Sequence, residues 1–186
     1  MKTYVLIGLT LLIGSCTSGS EETTNGNLAG VLETFPETPG VVRTEIRDAA
    51  GLLLTTGYYL NAKKEGSWVD YYPSRMMKSL TTYIQDHKEG ISLEFEENSA
   101  VSKKYFYHND KLHGEYLVLS GSVVREEKHY ENGLQMGVAR VYYENGLLQE
   151  ESYYKDGKRH GLAKWFDKDG VPTIQYEYKD GELVKM

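Results

Sequence analysis

The sequence predicts an all-β chain: an elongated single-layer antiparallel meander of stacked β-hairpin repeats. Three observations predict it. Units of 23 to 24 residues run from position 42 to 186, starting at Val42, Gly66, Gly90, Gly114, Gly137 and Gly161. The eighteenth position of every unit is tyrosine (Tyr59, Tyr83, Tyr107, Tyr130, Tyr154 and Tyr178), with spacings of 24, 24, 23, 24 and 24. Turn dipeptides punctuate the last units. Asn145-Gly146 and Asp169-Gly170 come first, Asp156-Gly157 and Asp180-Gly181 eleven residues later, and Asn132-Gly133 holds the second place in unit four. Such dipeptides supply the positive φ angles of tight hairpin turns. The runs between them are about seven residues long and rich in Val, Tyr, Leu and Thr, which suits strands and is short for helices.

The elements follow in order. Met1-Lys2-Thr3 carries one positive charge, and Tyr4 to Ile13 is a ten-residue, mostly apolar run. That fits the hydrophobic part of a signal peptide and falls short of the roughly 20 residues a transmembrane helix needs. Leu12-Ile13-Gly14-Ser15-Cys16 closes it, with the chain's only cysteine after two small residues. This segment resembles a bacterial lipobox. The resemblance implies cleavage after residue 15 and acylation of Cys16, and several acyl chains give the stable anchoring that one cannot. The alternative is an ordinary secretory signal that happens to contain a cysteine. Residues 16–41, rich in Ser, Thr, Gly, Glu and Asn, read as the lipidated cysteine and a disordered tether. Glu21-Glu22 loosely resembles acidic surface-export signals, and Thr17 in place of Asp favours the outer over the inner membrane. The expected location is therefore the bacterial cell envelope, facing the periplasm or the cell surface.

Six hairpins from residue 42 to 186 give roughly twelve strands, on the order of 55 Å end to end. One hairpin is unstable alone, whereas a stack can hold. A two-residue loop at Asn145-Gly146 would set Glu144 opposite Leu147 and, counting outward, Gly137 opposite Tyr154. A ring over a cross-strand glycine repairs a weak strand position; a three-residue loop would shift the register and break the pairing. The glycine column is Gly66, Gly90, Gly114, Gly137 and Gly161, with Val42 the exception. The first units depart further: Ala62, Asp86 and Asp110 replace the second-turn glycine, and Arg75 and Ser99 the first. The N-terminal half is thus expected to be more irregular. Ser120-Gly121-Ser122 lies where unit four lost a residue and reads as a shortened turn.

The recurring glycines, the paired aromatics of E-G-S-W-V-D-Y-Y and G-V-A-R-V-Y-Y-E-N-G, and the closing Y-K-D-G-K-R-H-G resemble the bacterial variant of the MORN repeat (MORN-2) across residues 42–186. The resemblance implies an elongated sheet of hairpins and no general enzymatic activity. Many bacterial members are labelled antitoxin-like or immunity-like, and eukaryotic relatives are linked to membranes and to protein assembly.

Chemistry is sparse. The 186 residues hold 21 Lys+Arg against 27 Asp+Glu, a net charge of -6, which argues against nucleic acid as a partner. One cysteine excludes an intrachain disulfide and a four-cysteine zinc site. No two of the five histidines stand at metal-ligand spacing with a carboxylate, so neither metal nor cofactor is expected. His113 and His160 share a column before a glycine, which points to turn chemistry. Glu126-Glu127 and Glu150-Glu151 also share a column and read as a solvated face before they read as a catalytic pair. No nucleophile elbow or phosphate loop is present, and the chain reads as a non-enzyme.

The aromatics offer the candidate binding face. Trp68, Tyr72, Tyr116, Tyr143 and Trp165 sit at odd positions of the first strand, and Tyr71, Phe95, Tyr142 and Phe166 at the sixth. Strand side chains alternate in face, so one set should pack and the other stay wetter. A wet strip could take a protein partner or a glycan; alternatively the rings only cover a single-layer sheet. The function expected is an envelope lipoprotein, attached to the bilayer through acylated Cys16, that presents a protein-interaction scaffold. An immunity or antitoxin protein and a glycan-binding accessory protein are the rivals. An export signal fits a cytosolic antitoxin badly.

Overall fold

The computed structural model describes residues 29–184. The expected leader 1–15, Cys16 and the tether as far as residue 28 lie outside the described residues. Within them the chain forms one open antiparallel sheet of 14 strands in sequence order, with no crossover. The strands are β1 (Val31–Thr34), β2 (Val41–Arg47), β3 (Leu53–Leu60), β4 (Lys63–Tyr71), β5 (Met77–Ile84), β6 (His87–Phe95) and β7 (Val101–His108). They continue as β8 (Lys111–Ser120), β9 (Val123–Glu131), β10 (Leu134–Tyr142), β11 (Leu148–Lys155), β12 (Lys158–Phe166), β13 (Pro172–Lys179) and β14 (Glu182–Leu183). Twelve of these are the expected hairpin strands. At ~4.8 Å per step the sheet runs about 62 Å from first strand to last.

The two additional strands are the short ones at the ends. β1 falls inside residues 16–41, where a tether is expected, and corrects that expectation for its last part. Side chains of β2 fix it: the Arg43 guanidinium donates to Glu33 at 3.4 Å, and the buried Thr44 hydroxyl donates to the Ala29 carbonyl.

The two turns of each unit differ. The second is a two-residue loop with positive φ at both residues, as at Asp156 (51°) and Gly157 (78°), which is the type I′ geometry that matches strand twist. The first is longer than expected. Gly146 N donates to Tyr143 O and Tyr143 N to Leu147 O, so Glu144–Gly146 form a three-residue loop in which the glycine alone has positive φ. That corrects the expected Glu144–Leu147 pair. Gly137 nevertheless lies opposite Tyr154, because a β-bulge restores the register: Tyr142 faces Leu148, Val141 faces Glu150, and Gln149 is the extra residue. The same bulge recurs at Leu54, Lys78, Ser102, Arg125 and Thr173. Unit four keeps the bulge and loses a residue from the loop, since Ser120 pairs directly with Val123 across Gly121-Ser122. Its shortened turn is as expected.

A second, wider bulge joins each unit to the one before. Tyr153 alone faces His160, Gly161 and Leu162, and Gly57 alone faces Gly66, Ser67 and Trp68. Each of these bulges carries a column glycine, with φ between 66° for Gly66 and 96° for Gly114. The glycine column therefore exists for its left-handed backbone. The ring-over-glycine expectation is corrected: an added Cβ at Gly137 or Gly161 would meet nothing within 4 Å.

The N-terminal units are not more irregular, which corrects that expectation too. Asp86 and Asp110 adopt positive φ in place of glycine, and their carboxylates accept the Lys64 and Lys88 N–H at 2.7 and 2.8 Å. Arg75 and Ser99 gain no such bond and sit at φ 68°. A non-glycine residue there costs about 1–2 kcal/mol, partly offset by the extra chain entropy of glycine. Arg75→Gly and Ser99→Gly are each expected to stabilise by up to ~1 kcal/mol, read as a rise in thermal midpoint, whereas Gly51→Ala, at φ 81°, should lower it.

Candidate functional site

One face of the sheet is a trough with a buried floor. The third position of each unit supplies Thr44, Trp68, Ser92, Tyr116, Ala139 and Ala163; the sixteenth, allowing for the residue unit four lacks, supplies Gly57, Thr81, Tyr105, Lys128, Ser152 and Tyr176. Each third residue pairs with its sixteenth across the hairpin, so the two sets form one continuous row. Small side chains make the floor: Ser92, Ser152 and Ala163 are each 1 % exposed although no second layer covers them. Large neighbours shield them instead, and Thr81 and Ser92 join hydroxyls at 2.9 Å.

The tyrosine column lines one wall. Opposite these rings stands a recurring cation: Tyr59 pairs with Lys64, Tyr83 with Lys88 and Tyr154 with Arg159. Each cation also lies over the tyrosine of the next unit, at 4.9 Å for Lys64 over Tyr83, 4.9 Å for Lys88 over Tyr107 and 5.7 Å for Arg159 over Tyr178. Rings and cations thus alternate at units one, two and five, each contact adding about 0.5–1 kcal/mol, whereas Leu112 faces Tyr107 in unit three. Gln135 occupies the cation's place in unit four, and its side-chain nitrogen is buried without a partner. Gln135→Arg is expected to extend the ladder into unit four and raise stability by about 0.5–1 kcal/mol, measurable as an increased urea midpoint.

The other wall carries carboxylates. Asp70 accepts from Thr55 at 2.7 Å and Ser79 at 2.8 Å. Glu94 is bonded to Lys103 at 2.8 Å and to the Tyr105 hydroxyl at 3.0 Å. Burial, with the Glu94 carboxylate adding to it, pushes the Tyr105 hydroxyl up to about 12, the opposite of what an activated nucleophile or base needs. With Tyr72, Tyr83, Lys88 and Glu96 these groups line an open hollow of about 700 Å³. Tyr72 lines the hollow and Tyr143 holds the equivalent place three units on, each donating its hydroxyl at 2.7 Å to the next unit, to Phe95 O and Phe166 O.

The five aromatics expected as a wet strip are divided. Trp68 is core, not surface: it is 5 % exposed, lies across Gly57, donates to Tyr58 O at 3.1 Å, and packs edge-on to Tyr59 at 5.0 Å and Tyr83 at 6.2 Å. This corrects its place in the binding strip. Tyr72, Tyr116, Tyr143 and Trp165 are half-buried in the trough, with Tyr116 stacked on Tyr105 at 5.3 Å and Trp165 bonded to Glu150 at 3.0 Å. Nor does the sixth-position set stand apart as the wetter one, since Phe95 is buried.

The paired glutamates are half-buried and ion-paired. Glu126 holds Lys128 in the trough, and on the opposite face Arg140 bridges Glu127 at 3.5 Å and Glu151 at 2.9 Å. The histidines serve the turn end of the sheet. His113 and His160 both present Nδ1 to a turn N–H of the following unit, at Asn132 and Asp180. His87 beside Asp110 and His108 beside Glu89 hold those carboxyls below the usual carboxylate range. Among the described residues no three His, Cys, Asp or Glu side chains are grouped to hold a metal ion.

The closing hairpins, with their bulged glycines, I′ turns and alternating ring ladder, carry the sequence likeness to known proteins. Residues 137–156 and 159–180 match the MORN repeat variant. MORN repeats form a non-catalytic repeat family, and such repeats are generally interaction modules for proteins or membranes. The match covers units five and six; units one to four share their hairpin geometry. No curated protein matches the chain.

Proposed function

We propose that this chain is a non-enzymatic bacterial envelope lipoprotein, anchored through acylated Cys16, whose MORN-type sheet is a scaffold for a protein partner. The trough carries this reading. Aromatic rings, hydroxyls and charged groups converge there on one hollow, which is the composition of a binding surface. The lipobox-like Leu12–Cys16 segment supports the anchor, and Thr17 supports the outer membrane, with the trough facing the periplasm or the cell surface.

Two measurements test it. Cys16→Ser should abolish labelling by palmitate analogues and move the protein out of the membrane fraction; retained label and membrane association would contradict the anchor. Capture from envelope fractions should yield one stoichiometric protein. Reversing the exposed rim charges by Lys78→Glu with Glu96→Lys should weaken that capture without lowering the thermal midpoint. Capture unaffected by the rim would move binding away from the trough. Retention on polysaccharide instead would favour a glycan, recognised through Trp165, since Trp68 is buried.

A further inference from the structure

The tyrosine column repeats at a spacing that selects one backbone conformation of a ligand. Along this wall each strand contributes one side chain. Tyr83 stands on β5, Lys88 on β6 and Tyr107 on β7, with Lys88 opposite Tyr83 and over the Tyr107 ring. Two strands make one unit, so equivalent side chains recur every ~9.6 Å across the strands. A polyproline II helix advances about 9.3 Å in its three-residue turn and returns to the same face. An extended strand covers the distance in about three residues, but its side chains alternate, so successive units would meet opposite faces. An α-helix covers it in roughly six and a half residues, which is not a whole number of turns.

The charges on this wall add to the match. Among the described residues neither Lys64 nor Lys88 ion-pairs with a carboxylate, whereas Arg159, in the same place of unit five, bridges to Glu150. Both lysines are half-buried, stand one unit apart and are held over aromatic rings. A polyproline II ligand presents carboxylates at that spacing when they are three residues apart. In unit three Leu112 takes the cation's place opposite Tyr107, so the next contact is apolar. Tyr83 and Lys88 also line the hollow. We infer that units one to three of the trough take an acidic, proline-rich segment of the partner protein in the polyproline II conformation, its carboxylates on Lys64 and Lys88 and its prolines against Tyr83 and Tyr107. This rests on the trough as the partner's site and adds the partner's chemistry. Aromatic-lined grooves seat such segments because the preformed helix loses little entropy on binding. Its backbone has no internal hydrogen bonds, so its carbonyls are open to tyrosine hydroxyls and lysine ammonium groups. The chain's net charge of -6 attracts no anion as a whole, so an acidic segment is held only where these lysines stand.

Fluorescence anisotropy on the full chain in detergent micelles tests this. The probe is dye-labelled Pro-Pro-Glu-Pro-Pro-Glu-Pro-Pro-Pro. It should bind at least tenfold more tightly than its isomer with the two glutamates adjacent. It should equally outbind the same peptide with glycine for every proline. Lys64→Gln and Lys88→Gln should each weaken the probe at least threefold. Gln135 shows that the fold accepts glutamine at this place, and the thermal midpoint reports that each variant stays folded. Equal binding of the three peptides would overturn the inference, and so would binding that both lysine variants leave unchanged. No binding of the probe would overturn it too. If envelope capture still depends on Lys78 and Glu96 in that case, the trough remains the partner's site and only the chemistry inferred for the partner falls. Retention on polysaccharide without binding of the probe would overturn both.

Discussion

Trp68→Ala is expected to destabilise the protein by about 3 kcal/mol or more, the largest effect of any single trough substitution. The indole is almost fully buried, and its place depends on the residue it crosses. Gly57 has an ordinary backbone conformation, yet a Cβ there would stand 2.7 Å from Trp68 Cε3 and closer still to Cδ2 and Cε2. Gly57→Ala should therefore cost about 1–3 kcal/mol by overpacking alone. In the Trp68→Ala background the same change should cost almost nothing, because the ring that it strikes is gone. A double-mutant cycle by urea denaturation reads this coupling directly. Additive losses would mean that the ring does not cover Gly57. Unchanged stability of Trp68→Ala would return the indole to the surface.

The second large effect is at the column glycines. Gly137→Ala and Gly161→Ala should each cost about 1–2 kcal/mol, although the added methyl meets no atom within 4 Å. The loss comes from the backbone, at φ 73° and 75°, and not from crowding. Asparagine, which tolerates this conformation, should cost less at both sites, and valine more. Val42 gives the contrasting case. It starts unit one, but β2 pairs with β1 in unbroken register there, so Val42→Gly should destabilise. Alanine variants at 137 and 161 as stable as the parent would exclude the left-handed bulge.

Much of this architecture is legible in the sequence, for physical reasons. The tyrosine and glycine columns mark one unit, and Asp-Gly pairs mark its second turn because few other residues accept two successive positive φ angles. The bulges are not legible. Leu54, Lys78 and Gln149 share a column but no chemistry, because a bulge constrains backbone and leaves the side chain free. For the same reason Asn145-Gly146 reads as a two-residue turn: the dipeptide shows that a positive φ is needed, not how many residues close the loop. The loop and the bulge err by one residue in opposite directions, so the Gly137–Tyr154 pair survives a wrong loop. Trp68 looks like a surface ring because strand alternation assigns a face and says nothing about depth. The signal that could have placed it is Gly57, the glycine outside the column, opposite which only a large ring fills the space. The small floor residues Ser92, Ser152 and Ala163 carry no motif, and their burial follows from their neighbours alone.

Register decides which residues form the trough, because a slip of one residue would move every side chain of a strand to the other face. Cross-strand nuclear Overhauser contacts between β10 and β11 test it most directly. Tyr142 is expected opposite Leu148 beside the loop and, beyond the bulge at Gln149, Gly137 opposite Tyr154. Contacts that place Gly137 opposite Tyr153 would remove the bulge and turn the tyrosine column away from the trough, contrary to this fold.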